Sequence, residues 1–82
     1  MSEIQEINKN ILGTLREDLT PSSKLLKIFL LLNKGTAEID MDSLSTCLGV
    51  ARMSTYAAIK QLEKKGMLLV DRTGNTNRYT LV

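Results

Sequence analysis

Gly49 lies between two stretches, Met41–Leu48 and Arg52–Lys65, that each place apolar residues at helical spacing. No other feature constrains the fold as tightly. A glycine can take the left-handed backbone that ends one helix and turns the chain into the next. Asp40 suits the N-cap of the first stretch, because its carboxylate can accept from the free N–H groups of the first turn. Ile39 and Leu44 occupy the staple positions on either side of that cap. Ser45 is small where two helices joined by so tight a turn must cross closely. In the second stretch Thr55, Ala58, Ile59 and Leu62 share one side, which leaves Arg52, Met53, Tyr56, Ala57, Lys60, Gln61 and Lys64 facing water. Gly66 ends this helix. Met67–Asp71 and Arg78–Val82 then read as β-type runs joined across Thr73-Gly74-Asn75-Thr76, a hairpin pattern. The extended piece Ala37-Glu38-Ile39 is available as a third strand.

Upstream, Ile4, Ile7, Ile11, Leu15 and Leu19 recur at three- and four-residue steps, so the spacing predicts an amphipathic helix over residues 3–18. Thr14 and Asp18 would fall at heptad core positions, which argues against a long coiled coil. An apolar stripe of this kind needs cover from its own domain or from a second copy. A homodimer contact through Ile4, Ile7, Ile11 and Leu15 is the favoured expectation, since the remaining elements close a core without this helix. Thr20-Pro21 marks a new start, threonine as N-cap and proline at the first helical position. The helix that follows runs to about Asn33, and its apolar residues surround it almost completely, as expected for the centre of a small domain. Lys34-Gly35 closes it. The expected division is therefore an N-terminal amphipathic helix, residues 1–19, and a domain over residues 20–82.

With 82 residues the chain is long enough for one small core. It contains no histidine and a single cysteine, Cys47, which excludes Ser–His and Cys–His catalysis and a zinc finger. Cys47 is expected on a buried face as a structural thiol. Acidic residues such as Glu17-Asp18 and Asp40/Asp42 fall at helix boundaries, where they are ordinary dipole partners. An enzyme is not expected, nor is a cofactor, a metal or a small-molecule ligand. The longest apolar run, Ile28–Leu32, is too short to cross a bilayer, and the N-terminus lacks a secretion signal, so the expected compartment is the cytoplasm. Charge is unevenly placed: residues 1–20 carry −2, residues 21–49 are neutral, and residues 50–82 carry +4. The positive excess is confined to the second helix of the pair and the hairpin, a distribution suited to phosphates.

The segments LTPSSKLLKIFLLL, IDMDSLSTCLGVARMSTYAAIKQLEKKGML and NTNRYTLV together resemble a winged helix-turn-helix domain over Leu19–Val82. Such domains stand at the front of plasmid and phage replication initiators and form many small bacterial repressors; the ending NRYTL is most similar to the replication branch. The implied fold is mainly α with a small β-hairpin wing (α+β), preceded here by the N-terminal helix. The implied partner is double-stranded DNA. In that family Arg52, Met53 and Ser54 would open the reading helix, with Tyr56, Ala57 and Lys60 one to two turns on. Arginine can donate bidentately to guanine, whereas methionine and alanine can meet a thymine methyl. Lys60 and Lys64 suit phosphates, and Arg72, Asn75, Asn77 and Arg78 of the wing suit the adjacent backbone or minor groove. Plainer roles compete: Tyr56 lying back on the first core helix, Met53 packing, and Arg78 pairing with Asp71 across the hairpin. The chain departs from the family at Ala51, where a serine or threonine normally caps the reading helix; Ser54 would then have to supply part of the cap. The expected function is the DNA-binding module of a replication initiator. Alternatives are a small dimeric repressor and a winged helix that docks on protein.

Overall fold

The structure is a computed structural model that describes residues 3–82, the side chains of residues 3, 4 and 7 excepted. Seven elements follow one another: α1 (Glu3–Leu15), α2 (Pro21–Leu32), β1 (Thr36–Ile39), α3 (Met41–Leu48), α4 (Arg52–Lys64), β2 (Leu68–Asp71) and β3 (Asn77–Leu81). The strands form one antiparallel sheet in the order β1-β3-β2, so the expected third strand is present and β3 lies at the centre. Tyr79 of β3 faces Ala37 on one side and Val70 on the other. This is the winged-helix architecture: three core helices, a small sheet and a hairpin.

Local chemistry sets the boundaries. The Thr20 hydroxyl accepts from Ser23 N (3.3 Å) at the head of α2, where Pro21 needs no hydrogen-bond partner. Asp40 caps α3 by accepting from Ser43 N at 3.0 Å. The Ser43 hydroxyl, together with that bond, holds the Asp40 carboxyl below its ordinary pKa. Gly49 ends α3 in the left-handed region (φ 69°), its N–H donating back to Ser45 O at 2.9 Å. After α2 the left-handed turn is shared by Lys34 (φ 61°) and Gly35 (φ 90°). Gly35 N donates to Leu30 O (2.7 Å) while its carbonyl accepts from Leu81 N (2.8 Å), which fastens the turn to β3.

The core joins Leu26 and Leu30 of α2, Leu44 of α3, Ala58, Ile59 and Leu62 of α4, and Leu68 and Tyr79 of the sheet. Ile39 packs against this cluster, of which the buried Leu44 is a member. At the α3–α4 crossing the buried Ser45 hydroxyl donates to Thr55 Oγ1 at 2.9 Å, and Thr55 donates on to Ala51 O at 3.2 Å. Both hydroxyls are thus satisfied without water, and small side chains let the helices approach.

Three expectations are corrected. Helix α1 stops at Leu15 rather than at residue 18. Arg16 N and Glu17 N tighten onto Gly13 O and Thr14 O (3.2 and 3.1 Å), and Lys24 Nζ holds Leu15 O at 2.8 Å. The buried phase of α1 is also rotated. Thr14 is 1% exposed, its hydroxyl turned back to Asn10 O, whereas Leu12 and Leu15 are 52% and 49% exposed. Leu19 reaches the core from the turn after the helix. Cys47, expected to be buried, is exposed. Leu44, Ser45 and Leu48 define the inward side of α3, and Cys47 lies roughly 100° round the helix from their mean direction.

Thr55→Val should destabilise the fold by about 1–2 kcal/mol, because Ser45 loses its acceptor inside the crossing. Adding Ser45→Ala should recover part of the loss, as the orphaned Ser45 hydroxyl is then removed; urea unfolding of the single and double variants measures both effects.

Candidate nucleic-acid interface

The outward face of α4 carries exposed apolar and cationic side chains beside the sheet. Its N-cap, Ala51, has the extended geometry of a cap (φ −64°, ψ 154°) but makes no side-chain hydrogen bond. Ser54 does not take over that duty and is half-buried. The first turn therefore presents N–H groups with no side-chain partner beside Arg52 and Met53, the latter 84% exposed. Tyr56 is 47% exposed. Ala57, Lys60 and Lys64 share the exposed side.

Between α4 and the hairpin runs a groove of about 130 Å³, lined by Met41, Tyr56, Ile59, Lys60, Arg72, Asn77 and Tyr79. Asn77 Nδ2 donates to the Tyr79 hydroxyl at 3.3 Å, which turns the amide into this groove. Asn75 stands exposed at the hairpin tip.

The three arginines of α4 and the hairpin are engaged. Arg52 Nη1 pairs with Asp42 of α3 at 3.0 Å, both side chains open to solvent. Arg72 forks onto Glu63 of α4 with contacts of 3.0 and 3.4 Å, and this pairing raises its pKa further. Arg78 pairs with Glu38 of β1 at 3.2 Å. Its expected partner, Asp71, is its register neighbour on the other side, but that carboxylate accepts from Thr73 N and Thr73 Oγ1 (2.9 and 2.6 Å). The Thr73 bonds, aided by the Arg78 charge, hold Asp71 below its ordinary pKa. An Asx turn thus claims the acid before the cross-strand arginine can. Among the described residues Lys60 and Lys64 have no ion-pair partner.

Two contacts were not anticipated. Gln61, expected on the wet side, accepts from Thr20 N (3.1 Å) and lies 3.2 Å from the Thr20 hydroxyl. Lys65 Nζ donates to Asp18 O at 3.0 Å. Together they clamp the end of α4 to the 16–20 turn. The available signal is their position on the flank of the buried face rather than opposite it. Of the four expected dimer residues, Ile4 and Ile7 lie outside the described side chains, Ile11 is half-buried and Leu15 is exposed. No group of metal-ligating side chains occurs among the described residues, and none of their helices is long and apolar enough to cross a membrane.

No protein-family model matches the chain, and no curated protein matches it. Solved structures do. The AntR antimony-specific transcriptional repressor is 18% identical with a TM-score of 0.56, over 100% of this chain and 68% of that one. A possible transcriptional regulatory protein from Mycobacterium bovis (fragment 1–100) is 15% identical with a TM-score of 0.58, over 98% of this chain and 78% of that one. At these identities the likeness establishes the shared fold.

Ala51→Ser should supply the missing cap of α4 and raise stability by about 0.5–1 kcal/mol, read as a higher urea midpoint at unchanged m-value.

Proposed function

We propose that the chain binds double-stranded DNA in a sequence-specific manner as a transcriptional regulator, with α4 in the major groove and the β2–β3 wing beside it. One observation carries this reading: the exposed face of α4 bears Arg52, Met53, Tyr56, Ala57, Lys60 and Lys64 next to a cationic hairpin. Both reported structural neighbours are described as transcription regulators, which favours the repressor alternative over the replication-initiator expectation. Arg52 reads a base edge, Met53 and Ala57 meet apolar base surface, and Lys60 and Lys64 hold phosphates. Arg72, Asn75, Asn77 and Arg78 belong to the wing contact, Arg72 and Asn77 from within the groove.

Selection from a random duplex library at physiological salt should enrich a short motif. Arg52→Ala should weaken that motif by about 1–3 kcal/mol and relax one base position. Inverted half-sites support the repressor, and tandem repeats return the initiator. Failure to bind any duplex moves the assignment to a protein-docking winged helix.

A homodimer is the second part of the proposal, supported by the exposed Leu12 and Leu15 on one side of α1. Leu12→Asp with Leu15→Asp should give a folded monomer in sedimentation; an unchanged sedimentation coefficient would sink the dimer contact.

A further inference from the structure

The three arginines of the interface are held by carboxylates from other elements, whereas its two outward lysines are not. Exposed pairs of this kind contribute little to folding, so fold stability alone does not account for carboxylates placed on all three. We infer that Asp42 and Glu63 are specificity-determining residues: each occupies a guanidinium that a DNA phosphate would otherwise take. The inference rests on the DNA-binding reading and assigns these acids a part in it.

A phosphate approaching Arg52 meets the Asp42 carboxylate already seated on Nη1, and one approaching Arg72 must break a two-point fork with Glu63. Each carboxylate also cancels its arginine's field at range and repels the phosphate directly. Binding to arbitrary DNA depends on the number of phosphates neutralised, and it is left mainly to Lys60 and Lys64. A base edge is treated differently. A guanidinium has five N–H donors, and Asp42 engages Arg52 through Nη1. The remaining donors stay free for guanine O6 and N7. The pairing therefore taxes phosphate contact more than base contact. The third pair works in the same direction. Arg78 stands between Glu38 and Asp71 in the strand register, a trio whose summed charge is negative. The +4 excess of residues 50–82 thus overstates the charge offered to arbitrary DNA.

The test uses the full chain with Asp42→Asn and Glu63→Gln, singly and together. Glu6→Gln on the exposed face of α1 provides a charge-matched control far along the chain from either pair. Fluorescence anisotropy at two salt concentrations compares the wild-type-selected duplex with an unrelated duplex of equal length, and circular dichroism confirms folding. The double variant should bind the unrelated duplex about three- to tenfold more tightly, with a salt slope steeper by about two. The selected duplex should gain less, so discrimination falls, and Glu6→Gln should change neither. An unchanged affinity for the unrelated duplex, an equal gain on both duplexes, or the same gain from Glu6→Gln overturns the inference while the DNA-binding reading stands. A folded wild type that binds neither duplex overturns both.

Discussion

The arrangement hangs on the close crossing of α3 and α4 at Ser45 and Thr55. Two hydroxyls meet there in the dry interior, and each has a partner, so polar groups that would otherwise be costly to bury become a fixed point. Gly49 makes the approach possible by reversing the chain within one left-handed residue. With α3 fixed, Leu44 enters the core beside Leu26, Leu30 and Leu62, and the opposite face of α4 is turned to solvent. The exposed side chains of α4 are therefore defined by what the buried ones must do. Gln61 and Lys65 add a second hold at its far end, on Thr20 and Asp18. A helix gripped near both ends presents its outward residues as a rigid row.

Charge on this row is less plain than composition implies. The arginines carry partners and the lysines stand free, so two kinds of cation coexist within one surface. A flexible, unpaired ammonium meets a phosphate with little geometric demand, while a guanidinium offers a planar fork of donors. Under the proposed DNA-binding reading, affinity and selectivity fall to different residue types.

Much of this was legible before any coordinates. Thr20-Pro21, Asp40, Gly49 and Gly66 are punctuation whose chemistry is local, and the elements begin and end beside them. The outward face of α4 followed from the spacing of Thr55, Ala58, Ile59 and Leu62. The failures have a common origin. Thr14 fills a core position that a hydrophobic pattern assigns to Leu15, because its hydroxyl is satisfied by Asn10 O within the helix itself. Cys47 counts as apolar by composition, yet the inward side of α3 is set by Ser45. The partners of Arg52, Arg72 and Arg78 lie on α3, α4 and β1, at separations no periodicity encodes. Asp71 was the plausible partner for Arg78 until the Thr73 turn took it.

Strand order has a consequence in time as well as in space. β3, the last strand to be synthesised, is the central one, and both of its neighbours must wait for it. Thr36 and its partner Thr80 are 44 residues apart. Until β3 arrives, β1 and β2 have no ladder to join, and the core lacks Tyr79, its largest fully buried side chain. The helices can gather early through local contacts, but closing the sheet is a late, long-range event that pulls in the hairpin and both edges together. Assembly of this surface is in this sense vectorial: the helix that faces outward is made before the strand that fixes the hairpin beside it.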